Sequence, residues 1–122
     1  MTIVYKVFHV GKGHTLESVW VYDTPWNHVY NVREVILPRV GRLAAFDTLD
    51  AALDLAFISD EVWVCEGEDP IVVPRIPVIS LSSHLVEKFW AGAITQRDPF
   101  LSKGLNGAVW CKSIKLIAKV VK

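Results

Sequence analysis

Apolar residues recur with a period near two over residues 3–10 and near 3.6 over residues 48–57, predicting an opening strand and a central helix. In IVYKVFHV, Ile3, Tyr5, Val7 and His9 share one face, and Val4, Lys6, Phe8 and Val10 share the other. In the central stretch, Leu49, Ala52, Leu53, Ala56 and Phe57 fall at i, i+3, i+4, i+7 and i+8, one apolar helical stripe. Asp47 or Thr48 is placed to cap the first turn, and Asp50 sits where the helix dipole favours negative charge. Val62–Cys65 then resumes as a β-prone run ending in Glu66-Gly67-Glu68-Asp69. Residues 41–69 therefore read as strand, helix, strand, and the rest of the chain is arranged around them.

Before this unit, Gly11-Lys12-Gly13-His14 reads as a turn, and Glu17–Tyr22 as a second strand that can form a hairpin with the first. Pro25, Asn27 and Asn31 break the next stretch, where Trp26, His28 and Tyr30 alternate; Val32–Leu37 is a further strand closed by Pro38. After it, Pro70, Pro74 and Pro77 remove too many N–H donors for a central strand, so residues 71–81 read as an edge strand or an extended connection. A second helix is predicted over His84–Ala93, capped by Ser82 or Ser83, with Leu85, Val86, Phe89, Trp90 and Ala93 as its stripe. Residues 94–107 carry Pro99, Gly104 and Gly107 and read as a loop.

The tail, AVWCKSIKLIAKVVK, has two readings. Lys112, Lys115, Lys119 and Lys122 are spaced for one face of a basic amphipathic helix. The density of Val and Ile favours instead two strand segments broken near Ser113. The fold class that follows is α+β: one domain over residues 1–122, a mainly antiparallel sheet of five to seven strands, and two helices packed on one face. Its expected core includes Tyr5, Val7, Val19, Val21, Leu49, Leu53, Phe57, Val62, Val64, Phe89, Trp90 and Ile114.

Composition narrows the class of protein. At 52% apolar and 21% charged residues, the chain has a folded domain's balance. Thirteen basic and thirteen acidic residues leave no net charge, which argues against a surface built wholly for nucleic acid or anionic membrane. Charge is nonetheless segregated: eight acids and no base lie between Leu43 and Pro74, and five lysines and no acid follow Pro99. Either the basic tail lies against the acidic centre, or the two faces attract different partners or another copy. Cys65 and Cys111 each follow a Val-Trp run and read as reduced, buried thiols, not a disulfide framework. The run Ile3–Val10 is too short and too interrupted for a secretion signal, and no stretch approaches 18 apolar residues. The expected location is the cytoplasm, a host's if the protein is viral, with no membrane association.

No residue spacing assembles a known chemistry. His9, His14, His28 and His84 with two distant cysteines contain no metal-ligand motif, so no metal is expected. Gly11-Lys12-Gly13 lacks both the phosphate-loop frame and a following helix. Ser82-Ser83-His84 at a helix start is explained by capping. Nucleic-acid binding would rest on Lys112, Lys115, Lys119 and Lys122 with exposed tryptophans stacking on bases, against a neutral chain with an acidic middle.

Several short landmarks recur together: Tyr5-Lys6-Val7, Ser18, Gly41-Arg42-Leu43, Phe46-Asp47-Thr48-Leu49 with Ala52, Val62-Trp63-x-Cys65-Glu66, Phe89-Trp90, and a closing Gly107-Ala-Val-x-Cys-x-Ser-Ile-Lys-Leu-Ile. In this order they resemble small, uncharacterised single-domain proteins of phages and prokaryotes, a resemblance that implies a fold and no chemistry. More distantly, a His on the first strand (His9) and a Glu after the strand that follows the helix (Glu66 or Glu68) resemble the layout of ADP-ribosyltransferase-like folds. That resemblance implies NAD as cofactor, His9 holding the nucleotide and the Glu stabilising an oxocarbenium-like centre. The strand before the helix offers no Tyr or Ser, so only Tyr22 or Tyr30 is left for the middle position. The leading expectation is a non-catalytic accessory or protein-interaction module, engaging a partner or a second copy through an aromatic patch or an unpaired strand edge. The NAD-linked enzyme is the alternative, and a nucleic-acid-binding accessory protein is the second.

Overall fold

A computed structural model describes residues 2–10, 16–18, 29–38, 42–56, 59–73, 75–77, 90–91, 101–103 and 107–120. In chain order the elements are β1 (Thr2–Val10), β2 (Leu16–Ser18), β3 (Val29–Tyr30), β4 (Val35–Ile36), β5 (Leu43–Phe46), α1 (Leu49–Leu55), β6 (Glu61–Glu68), β7 (Arg75–Pro77), β8 (Leu101–Lys103), β9 (Ala108–Cys111) and β10 (Ser113–Lys119). The main sheet runs β3-β2-β1-β6-β10-β4, with β5 branching from β1 and β9 pairing β5. All of these strand pairings are antiparallel.

The mainly antiparallel sheet is as expected; among the described residues it has eight strands, more than five to seven, and one helix, α1, where two were expected. The tail forms two strands, as its Val and Ile density predicts. They break at Lys112 and join different partners: β9 lies on β5, and β10 lies on β6. β7 and β8 form a separate two-stranded ribbon, so residues 101–103, read as loop, are paired strand. The proline-punctuated stretch supplies β7 and a bridge from Ile71 to Trp110, in keeping with an edge position. Of the second expected helix, only Trp90 and Ala91 belong to the described residues.

β1 is the hub. One edge pairs with β6 from Thr2↔Gly67 to Phe8↔Glu61. The other edge pairs with β2 over residues 8–10 and with β5 only at Tyr5↔Phe46. Because β9 on β5 continues through Lys112 into β10 on β6, the path β1-β6-β10-β9-β5-β1 closes on itself. The inner side of that circuit is the larger core: Val4, Phe8, Leu43, Ala45, Cys65, Val109, Cys111, Ile114 and Leu116, joined by Leu16, Tyr30 and Ile36. Gly67 belongs here for want of space: a Cβ at that position would sit 2.8 Å from Cys111 Sγ and 3.0 Å from Val4 Cγ2.

The outer side carries α1 and a second cluster of Val7, Phe46, Ala52 and Val62, flanked by Tyr5, Leu49, Ala51, Leu55, Ala56, Ala108 and Val120. Thr48, not Asp47, is the cap: its Oγ1 accepts from Ala51 N at 3.2 Å. Asp47 N instead donates to Gly107 O at 2.9 Å. The helix is turned slightly from its predicted stripe, so Ala51 packs inward and Leu53 is 36% exposed. Close approach explains the turn. Gly107, at φ +79°, lies so near α1 that a Cβ there would be 2.8 Å from Ala51 Cβ. Of the other expected core residues, Val7, Val62 and Ile114 are buried, and Tyr5, Leu49, Val64 and Trp90 are partly buried. Val19, Val21, Phe57 and Phe89 lie outside the described residues.

Candidate functional site

The strand register places His9, Glu66 and Glu68 on the outer face, the side that carries α1. It does not bring them together. Phe8 is opposite Glu61, so His9 lies six residues along the ladder from the level of Glu66, roughly 20 Å at about 3.3 Å per residue. Glu68 is two residues farther, and Tyr5, Val7 and Val62 under α1 fill the interval. Tyr22 lies outside the described residues, and Tyr30 is buried in the inner core, its ring centroid 4.8 Å from that of Phe8.

The tail lysines are also divided. Lys112 is at the exposed corner between β9 and β10, 3.6 Å from Asp69 Oδ2. Lys115 is opposite Glu66 on the outer face. A bulge between Leu116 and Ala118 shifts the register, so Lys119 comes opposite Trp63 on the inner-face parity, with its Nζ 3.2 Å from Glu61 Oε2. Trp63 Nε1 donates to the same carboxylate at 3.1 Å. Lys122 lies outside the described residues. The basic tail thus lies along the acidic β6, the first of the two arrangements that the charge segregation allows.

Lys6 is the residue whose situation is least ordinary. It shares the inner face with Val4 and Phe8 and is only 6% exposed. β5 meets β1 at a single pair and then diverges, which leaves the Ala44 carbonyl for Lys6 Nζ to reach at 2.5 Å. The ammonium also lies 5.5 Å from the Tyr30 ring centroid and 5.8 Å from that of Phe8. Burial lowers its pKa from 10.5 to about 8, against a smaller opposing influence of Cys65 and Cys111. Both cysteines are free and buried. Burial raises the Cys65 thiol to about 12 and raises Cys111 as well, so both are protonated at neutral pH and poor nucleophiles. A lone Lys alternating with Val4 and Phe8 was the visible sequence signal for this site. Enclosed by core side chains, the amine supports the fold and is not presented to a substrate.

A second polar cluster braces the corner of the circuit. Arg42 donates through Nη1 to the carbonyls of Asp69 and, at 3.2 Å, Trp110, and through Nη2 to Asp69 Oδ2 at 2.9 Å. The hydrogen bond from Arg42 is the largest cause of the lowered Asp69 pKa. Arg42 thereby ties the start of β5 to the end of β6, and Lys112 N closes the same corner on Glu68 O at 2.9 Å. Among the described residues, no group of three or more His, Cys, Asp or Glu is placed to hold a metal ion. No helix among them is long and apolar enough to cross a membrane.

The outer face beyond α1 is where unburied apolar surface and uncommitted charge coincide. Register aligns Ile3 on β1, Glu66 on β6, Lys115 on β10 and Val35 on β4 in one row across four strands. Ile3 is 49% exposed and Val35 51%, while their neighbours Val4 and Ile36 are buried on the inner face. Leu37, two residues on from Val35 and also exposed, extends the apolar surface at the β4 end. Glu66 and Lys115 make no ion pair with a described residue. No family model, curated protein or solved structure matches the chain.

Proposed function

We propose that this chain is a non-catalytic interaction module that engages a protein partner through the outer sheet face left uncovered by α1. The observation that carries this reading is the row of exposed apolar Ile3 and Val35, extended by Leu37, reaching edge strand β4. Elsewhere three of the described basic side chains hold the fold: Lys6 on Ala44 O, Arg42 on Asp69, Lys119 on Glu61. An NAD-linked transferase would need His9 and Glu66 or Glu68 at one reacting centre, and their separation along the ladder favours the module. A nucleic-acid surface would need the tail lysines on one face, and their division between two faces favours it again.

Site-specific photo-crosslinking in the cells that make the protein tests the reading. A benzophenone side chain in place of Val35 should yield a discrete covalent protein adduct, and the same group at exposed Leu53 on α1 should not. Absence of any adduct at position 35 would remove the proposal.

A further inference from the structure

The row Ile3–Glu66–Lys115–Val35 has a symmetry of its own, and on the interaction-module reading it names the partner. Its order is apolar, acid, base, apolar, on four adjacent strands spanning roughly 14 Å at about 4.8 Å per strand. A two-fold axis lying parallel to the strands, between β6 and β10, maps the row onto its own complement. Glu66 then faces Lys115 of a second copy, Lys115 faces its Glu66, Ile3 faces Val35, and Val35 faces Ile3. We infer that this face is an isologous dimer interface and that the partner is a second copy of this chain.

Three features of the structure support a second copy over an unrelated protein. An isologous contact requires a self-complementary patch, and this row is one in both charge and hydrophobicity. Ile3 and Val35 are each about half exposed, at 49% and 51%, so each is open to the other across a two-fold. The chain carries thirteen basic and thirteen acidic residues, so two copies approach without net repulsion. Sheets packed face to face lie about 10 Å apart, a gap that a Glu and a Lys reaching from opposite sides can close. Glu66 and Lys115, free of ion pairs with described residues, are available for that contact.

Charge exchange tests this directly by sedimentation equilibrium, with circular dichroism to confirm folding. The wild-type chain should sediment at twice its 13.7 kDa mass. Glu66→Lys alone sets like charges against each other across the axis, as does Lys115→Glu alone, and each should sediment as a folded monomer. Mixed in equal amounts, the two variants restore both cross-axis pairs and should recover the dimer. Mixing repairs only intermolecular contacts, so recovery cannot come from the cross-strand Glu66–Lys115 pair within one chain. A monomeric wild type, single variants that stay dimeric, or folded variants that do not reassociate would overturn the inference. A monomer that still crosslinks from position 35 to another protein removes the dimer and keeps the interaction module. A monomer with no adduct removes both.

Discussion

Replacing Lys6 by Met should erase a rise in stability between pH 8 and pH 9 that is expected of the wild-type protein. Burial holds the Lys6 pKa near 8, whereas in the unfolded chain it returns to 10.5. Between those values the unfolded state holds a proton that the folded state has released, so stability increases with pH. It is fully gained above 10.5 and lost as pH falls through about 8. The whole difference corresponds to about 3 kcal/mol, accruing at about 1 kcal/mol per pH unit. Cys65 and Cys111 act in the opposite sense. Cys65, raised from 9.0 to about 12, keeps its proton in the folded state after the unfolded chain has lost it, and Cys111 is shifted the same way. Wild-type stability should therefore climb between pH 8 and 9, then turn over as the two thiols outweigh the amine.

Met has nearly the length of Lys and no charge, so Lys6→Met removes the buried ammonium without opening a large cavity. It also leaves the Ala44 carbonyl without its donor, at a cost of about 1–3 kcal/mol. At pH 7 the two effects nearly cancel, and the variant should unfold within about 1 kcal/mol of wild type. At pH 9 the wild type should have gained about 1 kcal/mol on the variant. Urea titrations followed by Trp fluorescence under reducing conditions, at intervals from pH 6.5 to 9.5, read this directly. Taking wild type minus variant cancels the histidines and the amino terminus. A difference that stays flat from pH 7.5 to 9 would refute a buried, desolvated Lys6.

Gly67→Ala should destabilise by about 1–3 kcal/mol in the same urea assay, because its Cβ would press on Cys111 Sγ and Val4; adding Cys111→Ala should recover much of the loss. Thr48→Ala removes the α1 cap and should cost about 1 kcal/mol, with Thr48→Ser close to wild type. Asp69→Asn should lower the melting temperature at neutral pH and flatten the wild-type loss of stability below pH 4, since Arg42 lowers the Asp69 pKa and that contribution disappears as the carboxylate is protonated. Millimolar NAD should leave the melting temperature unchanged; a dose-dependent rise abolished by Glu66→Ala or Glu68→Ala would replace the module by the transferase.

The parts of the fold that were legible in the sequence are those set by local period. Alternation in residues 3–10 gave β1 with the two faces that the structure shows, Lys6 already beside Val4 and Phe8. The helix was found from its stripe, but its rotation was not, because the close approach of Gly107 to Ala51 joins positions far apart in the chain. The tail was recognisable as two strands, yet only tertiary pairing decides that β9 belongs to β5 and β10 to β6. The candidate face was the least legible feature. Ile3, Glu66, Lys115 and Val35 are unremarkable where they stand, and only the register of three strand pairs lines them up.

Farther along β10, one extra residue shifts the register. Ile114 and Leu116 face Gly67 and Cys65, and the bulge then advances the strand so that Ala118 meets Val64 and Lys119 meets Trp63. Without the bulge, Lys119 would fall opposite Val62, beneath α1 in a cluster of apolar side chains where its charge would be costly. With it, Val120 takes that place, its N–H on Val62 O at 2.8 Å, and Lys119 turns to Glu61. The bulge also separates Lys119 from Lys115, which share a face in any unbroken strand. Lys115 is left as the one tail lysine on the described outer face, beside Glu66. The bulge keeps a charge out of the covered half of that face, while Lys115 and Glu66, set opposite each other ahead of it, stand as a matched acid and base on the open half.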